Sequence, residues 1–574
     1  MPDDTVLLER HFDTAFAAPD GIQRLRELIL TLAMQGKLVP QDPKDQPASE
    51  LLKAIEAEKK ILVKEGKIKQ PKPLPEIKLE ELSYELPKSW EWVRLGKIGE
   101  INPRNSFDDD REAGFVPMPL ISSEYGSTHK FETRKWSDIK KGYTHFADGD
   151  VSLAKITPCF ENGKSCVFEG LPNGIGAGTT ELHIFRNTFK AISPEYLLAY
   201  FKNPKYIASG TSKMTGSAGQ KRVPTDFFIL NPFPLPPLAE QRRIVAKIDQ
   251  LMARCDELEK LRGDRNQKRI TIHTAALDRL LTAKESSDFS TAWRFITQHF
   301  GELYSVKENV AELRKAILQL AVMGKLVPQD PKDEPASELL KAIESEKQQL
   351  VEEGKIQQPK PLPKIKLEDT PYQLPKQWEW VRLGTVVISS HAGRSPQCLP
   401  RRRMGDEWGV LKVSAVSWGT FNPDENKALP PEMQPRLEDE VKAGDFLLSR
   451  ANTEELVARS VVVTHAPPNL MISDKTVRLI ISAQVDKQFI NVSNLSNDAR
   501  IYYASNASGT SSSMKNVSRE IMYQLPIPLP PLAEQNRIIA KIDQLMTLCD
   551  QLDQQIDAAT SKQTTLLNAV MAQV

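Results

Sequence analysis

"PLPPLAEQRRIVAKIDQLMARCDELE" occupies Pro234–Glu259, and "PLPPLAEQNRIIAKIDQLMTLCDQLD" occupies Pro528–Asp553. One chain writes nearly the same stretch twice. In the first copy the apolar positions Ile244, Ile248, Leu251, Cys255 and Leu258 step by four and three in turn. The second copy repeats the alternation with Ile538, Ile542, Leu545, Cys549, Leu552 and Ile556. This spacing is the a/d seam of a coiled coil. The paired prolines sit where a helix tolerates them, in its first turn. Glu240 and Glu534 follow, suited to the positive end of the helix dipole. Pro237 to Leu280 spans about 66 Å if wholly helical. The seam weakens after Arg262 and Gly263, where fraying or a bend is expected. An amphipathic helix packed on its own domain would carry the same pattern, but two near-identical seams favour packing of one long helix on the other.

The repetition reaches further back. "GKLVPQDPKDQPASELLKAIEAEKKILVKEGKIKQPKPLP" (Gly36–Pro75) returns as "GKLVPQDPKDEPASELLKAIESEKQQLVEEGKIQQPKPLP" (Gly324–Pro363). "LPKSWEWVRLG" (Leu86–Gly96) returns as "LPKQWEWVRLG" (Leu374–Gly384). Two copies are too few for a solenoid, so the duplication suggests a pseudo-two-fold molecule, in effect a dimer in one chain. Each copy predicts a helix over Pro47–Lys64 or its counterpart, a C-cap at Gly66, a stiff Pro-rich linker, and a strand at "WEWVRLG". Trp90, Trp92, Trp378 and Trp380 lie in this matched frame and read as core.

Between the matched blocks lie divergent ones, roughly 97–233 and 385–527. They mix short β-rich runs ("SVVVTH", "TVRLIIS") with a helix near "SPEYLLAYFKN" N-capped by Ser193. "GDVSLAKIT" (Gly149–Thr157) aligns with "GDFLLSRANT" (Gly444–Thr453), which sets Lys155 opposite Arg450. "GTSKMTGSAGQKRVP" (Gly210–Pro224) and "GTSSSMKNVSREIM" (Gly509–Met522) hold the same place before the long helix. Each half therefore carries a domain of one type with a rewritten surface.

The totals narrow the chemistry. The chain has 574 residues, 76 basic and 75 acidic side chains, 40% hydrophobic and 26% charged residues. That is a globular, multi-domain composition. A net charge of +1 leaves any nucleic-acid contact to local patches or to partners. Five cysteines make no disulfide framework, and Cys159 and Cys166 have no second pair to complete a zinc site. The acidic start "MPDDTVLLERHFD" shows no signal-peptide pattern, and no apolar run approaches membrane length. A soluble, cytoplasmic chain is expected. Phosphate-loop, nucleotide-binding and hydrolase-elbow motifs are absent. "GIGAGTT" (Gly174–Thr180) reads as a loop, and "NPFP" (Asn231–Pro234) as the exit of a domain. No catalytic or metal-ligating residue is identified.

With the twin seamed helices, "AKITPCFENGK" (Ala154–Lys164), "GDFLLSRANTEELVARS" (Gly444–Ser460) and "GSAGQKRVP" (Gly216–Pro224), the chain resembles the DNA-specificity subunit of type I restriction–modification systems. The resemblance covers both halves. It implies an α+β fold: two mixed α/β target-recognition domains joined by two long helices packed as an antiparallel coiled coil. Segments follow as 1–87 (helical segment and linker), 88–235 (first recognition domain), 236–285 (first long helix), 286–375 (second helical segment and linker), 376–529 (second recognition domain) and 530–574 (second long helix). It further implies that each domain reads half of a bipartite double-stranded DNA site in a bacterial or archaeal cytoplasm. Two methyltransferase subunits and restriction/translocase subunits are the implied partners. S-adenosylmethionine, ATP and Mg belong to those partners, none to this chain. The segments 38–87 and 326–375 depart from shorter members of the family.

Reading base edges takes Arg, Lys, Asn or Gln on loops or strand ends. The first domain offers Lys155, Lys213, Gln220, Lys221 and Arg222; the second offers Arg450, Asn452, Thr453, Lys515, Asn516 and Arg519. Lys155 and Arg450 stand out because both domains place a cation at one step of a shared pattern. Arg401–Arg403 suit phosphates. Two other readings stay open on sequence alone: a scaffold that binds only protein, and a stand-alone methyltransferase or nuclease.

Overall fold

The computed structural model describes residues 16–66, 73–126, 129–217, 219–417, 419–509 and 514–572. The acidic stretch 1–13, the first half of the Pro-rich linker and parts of both glycine loops (Ala218 and 510–513) lie outside the described residues. The chain forms two compact units, residues 1–265 with 558–574, and residues 266–557.

In the first unit, α1 (Gly21–Met34) and α2 (Ala48–Lys64) precede β1 (Glu91–Arg94). Gly66 takes φ +69° just past α2, the left-handed conformation of a helix stop. β1 pairs antiparallel with β10 (Pro232–Leu235), Glu91 facing Leu235, so the first and last strands close the domain on itself. Between them β2 (Glu100–Ile101), β6 (Val151–Ala154), β7 (Ser165–Val167) and β9 (Leu182–Arg186) form an antiparallel sheet in the order β2-β9-β6-β7. A second sheet runs β4-β3-β8-β5, from β3 (Glu112–Val116), β4 (Glu132–Lys135), β5 (Thr144–Ala147) and β8 (Ile175–Gly178). The glycine stretch expected as a loop is thus β8, an inner strand. A Cβ on Gly176 would sit 2.4 Å from the Phe146 ring, and one on Gly178 2.1 Å from the Val116 carbonyl oxygen. Those glycines mark close packing inside a sheet. Helix α3 (Pro194–Phe201) starts at Ser193, whose hydroxyl accepts from the Tyr196 amide.

The second unit repeats this frame. After α4 (Leu238–Thr282), α5 (Lys307–Val322) and α6 (Ala336–Glu352) match α1 and α2. β11 (Glu379–Arg382) pairs with β21 (Pro526–Leu529) in the register of β1 and β10. The first sheet is again β12-β19-β15-β17, from β12 (Val387–Ala392), β15 (Phe446–Ser449), β17 (Ser460–Val462) and β19 (Thr476–Ile481). The second is β14-β13-β18, from β13 (Gly409–Leu411), β14 (Asn426–Ala428) and β18 (Leu470–Met471). Two short strands, β16 (Ala451–Asn452) and β20 (Lys515–Asn516), pair separately.

The long helices are α4 and α7 (Leu532–Ala572). α4 stays helical past Arg262 and Gly263, because Ala276, Leu277 and Leu280 are buried in the second unit's core. The seam residues divide between two cores. Ile244, Ile248 and Cys255 are buried in the core that α1 builds with the first domain, beside Ile29, Met34, Trp90 and Phe233. Ile538, Ile542 and Cys549 are buried in the other core, with Ile317, Leu320, Trp378 and Ile527. Leu251, Leu545, Leu552 and Ile556 are partly buried against the same cores, and Leu258 is 48% exposed. The seams thus lie in separate cores, each joined there by the helix that precedes its domain. Matched ion pairs hold these contacts: Arg26 reaches Asp256 (2.7 Å) and Glu259 (2.8 Å), and Arg314 reaches Asp550 (2.8 Å) and Asp553 (2.9 Å). Glu240 and Glu534 are buried rather than free at the helix start, where they accept from Gln41 (2.7 Å) and Gln329 (2.6 Å). Burial raises both carboxyls above the ordinary range. Trp90 and Trp378 are core, as expected.

Each long helix starts in one unit and ends in the other, since the units divide after Arg265 and after Asp557. The division into units therefore passes through both long helices.

Candidate nucleic-acid interface

Lys155 follows β6 directly. Its amide donates to the Glu181 carbonyl (2.9 Å), and its own carbonyl accepts from Val223 (2.8 Å). Arg450 follows β15 in the same way: its amide donates to the Lys475 carbonyl (2.8 Å), and its carbonyl accepts from Val517 (2.9 Å). The two cations occupy one backbone position on one frame.

Beside each stands a short hairpin. In the first unit the Thr215 amide donates to the Arg222 carbonyl (3.0 Å), the Arg222 amide returns a bond to Thr215 (2.8 Å), and Thr157 donates to the Lys221 carbonyl (3.0 Å). In the second, Ser508 and Asn516 exchange bonds of 2.9 and 2.8 Å, and Asn452 faces Lys515. Both turns need glycine. Gly216 has φ +126° and Gly509 φ +124°, and a Cβ there would meet a carbonyl oxygen at 2.9 or 2.5 Å. This backbone makes Lys221 the counterpart of Lys515, and Arg222 that of Asn516.

The side chains differ. Arg222 grips Glu181 side-on: Nε donates to Oε2 and Nη2 to Oε1, both at 2.9 Å, while Nη1 donates to the Gln220 carbonyl (3.1 Å). The hydrogen bonds from Arg222 hold the Glu181 carboxyl below its usual range. Lys213, Gln220 and Lys221 are exposed and Lys155 half-buried. Among the described residues Lys155, Lys213 and Lys221 have no ion-pair partner. In the second unit Asn452 donates to the Ser417 hydroxyl (2.8 Å) and accepts from the Thr453 amide (2.9 Å). Lys515 donates to the Gly509 carbonyl (3.1 Å). Arg519 is exposed at the start of the helix Arg519–Gln524. The hairpins thus gather the expected residues around Lys155 and Arg450, with Lys213 and Arg519 at their margins. Of the arginine run, Arg401 is tied to Glu407 by two bonds (2.6 and 2.7 Å).

Two functional candidates escaped the sequence reading. Glu181 and Lys475 hold one backbone position with opposite charge. Lys475 pairs with Asp474 (3.0 Å). Burial alone would raise the Asp474 carboxyl, yet the Ser395 hydroxyl and Lys475 keep it below its usual value. Extending the alignment from "GDVSLAKIT" into "TELHIF" and "DKTVRLI" is the signal that exposes this reversal. Under the patch lies His183, buried, its Nε2 3.1 Å from the Val223 carbonyl and its ring stacked on Phe228. Among the described residues no cluster of side chains suits a metal ion, and no helix is long and apolar enough to cross a membrane.

Residues 87–265 and 488–559 match the family described as the type I restriction modification DNA specificity domain. The chain is 46% identical over 557 residues to the type I restriction enzyme EcoEI specificity subunit of Escherichia coli, covering 96% of this chain and 93% of that one. It is 44% identical over 567 residues to the EcoAI specificity subunit of Escherichia coli, with the same coverage. Among solved structures, the HsdS subunit from Thermoanaerobacter tengcongensis is 19% identical over 85% of this chain and 98% of its own, with a TM-score of 0.43. On its likeness to the two Escherichia coli subunits over nearly the whole chain, the protein belongs to the type I restriction enzyme specificity subunits.

Proposed function

We propose that this chain is the non-catalytic DNA-reading subunit of a type I restriction–modification complex, and that its two domains read the two halves of a split double-stranded site. One observation carries the reading: Lys155 and Arg450 share a backbone position on one frame, while the side chains around them differ. Matched frames with unlike contacts suit an asymmetric target, since direct readout depends on donors and acceptors rather than on fold. A protein-only scaffold has no use for two diverged surfaces.

The long helices act as an antiparallel strut that sets the spacer between the half-sites. This is supported by their reciprocal membership, each beginning in one unit and ending in the other. The duplicated frame serves two copies of a methyltransferase subunit, and restriction/translocase subunits join them in the cytoplasm. S-adenosylmethionine, ATP and Mg are held by those partners. Near-neutral charge fits, because partners then supply much of the phosphate neutralisation.

The test is methylome sequencing of cells carrying the intact system. A single bipartite motif is expected. Methylation without a split motif, or methyl transfer by the purified chain alone, overturns the reading.

A further inference from the structure

From the Glu181–Arg222 geometry we infer that Arg222 reads a guanine in the half-site of the first domain, and that Glu181 is the positioning residue that aims it. The inference rests on the DNA-reading role proposed above and names the chemistry of one contact.

A guanidinium carries five N–H donors in a rigid plane. Glu181 takes the Nε proton and one Nη2 proton, both at 2.9 Å. The Gln220 carbonyl takes one Nη1 proton at 3.1 Å. One proton remains on each Nη, and with the Gln220 carbonyl taken to hold the Nη1 proton on the Cδ side, these two lie along the end-on edge of the fork. Two parallel donors on one edge match the O6 and N7 acceptors of guanine in the major groove. The carboxylate also fixes the plane, so less side-chain entropy is lost when a base engages.

The placement agrees. Arg222 is exposed at the mouth of the hairpin, its backbone locked to Thr215 in both directions. Glu181 is anchored at the start of β9, and its carbonyl accepts the Lys155 amide. The acid therefore ties the sheet to the reading hairpin. In the second unit neither half of the device is present: Asn516 replaces the arginine and Lys475 the acid. If the pair only held the hairpin closed, the second hairpin would lack its clasp. Yet that hairpin closes through the same backbone bonds, 2.9 and 2.8 Å between Ser508 and Asn516. The side-chain pair is thus dispensable for the hairpin and free to serve recognition.

The test uses the full chain assembled with its modification subunits, offered a duplex library randomised in both half-sites, with base frequencies read at each position. Wild type is expected to demand guanine at one position of one half-site. In Arg222→Ala that preference falls by roughly ten- to a hundredfold, the span of one bidentate base contact. Glu181→Gln, which breaks the side-on grip, lowers it less and at the same position only. The double variant is no worse than Arg222→Ala. If Arg222→Ala abolishes modification, Arg222→Lys decides, since it keeps the charge and removes the fork. Lost guanine preference there supports the inference; retained preference overturns it. Uniform weakening at every position in Glu181→Gln also overturns it, as a merely structural role would give that result. A wild-type complex with no base preference would sink the DNA-reading role itself, an outcome distinct from unchanged variants in a selective complex.

Discussion

At the scale of single residues, a shared frame gives the same backbone step different chemistry in each unit. Lys155 and Arg450 hold one position, and Glu181 and Lys475 another with opposite sign. Removing either cation should therefore damage one half-site and spare the other. Lys155→Ala and Arg450→Ala are each expected to cost about 1–3 kcal/mol of discrimination at a single half-site, read by footprinting of the assembled complex. Full protection of both half-sites in both variants refutes the role. His183 supplies a pH signature beneath the same patch. Burial holds its ring down to about 4, and the carbonyl of Val223, the charge of Lys155 and that of Glu181 face it. The unfolded chain binds a proton near pH 6.5, well before the folded one does. The stability this contributes is complete above that value and is lost as pH falls toward 4. The melting temperature of wild type should accordingly drop more between pH 7 and 4.5 than that of His183→Gln. Equal slopes would remove His183 from the account.

At the scale of elements, the long helices combine two tasks. Their first halves complete separate cores with α1 and α5, through Ile248 in one unit and Ile542 in the other. Both residues are buried, so Ile→Ala should cost about 2–5 kcal/mol each, from lost transfer energy and the cavity left behind. Because they belong to different cores, the two losses should add within about 0.5 kcal/mol in denaturant unfolding. A marked shortfall in the double variant would mean that the two seams share one core after all. The ends of the same helices are distinguished by their partners. His273, near the end of α4, meets the Tyr304 hydroxyl at 3.1 Å, whereas Leu567, near the end of α7, lies in an apolar cluster with Phe16 and Leu28.

At the scale of the whole molecule, the proposed strut would turn helix length into DNA spacing. Each residue adds 1.5 Å of helix, and B-DNA advances about 3.4 Å per base pair. Inserting seven residues, two helical turns, after Arg265 and again after Ala559 should lengthen the spacer by about three base pairs. The bases read in each half-site should stay the same. Methylome sequencing checks both statements at once, and an altered half-site with an unchanged spacer would refute the strut.

Much of this was legible in the residues because it is local or repeated. The a/d seam up to about Arg262, the Ser193 cap, the "WEWVRLG" strand and the shared position of Lys155 and Arg450 all follow from patterns along the chain. Duplication doubled each signal. What the chain order could not decide was which surfaces meet. An a/d seam states that a helix has an apolar stripe; it does not name what covers it, and here α1 and α5 do so in their own units. Gly174–Thr180 looks like a loop until the sheet shows Phe146 packed against Gly176. Glu181 lies 41 residues from Arg222 and becomes part of the candidate site only when β9 and the hairpin are brought side by side. Local patterns depend on neighbours along the backbone, which the sequence contains. Contacts between distant segments depend on packing and on burial of charge, which exist only once the chain has folded.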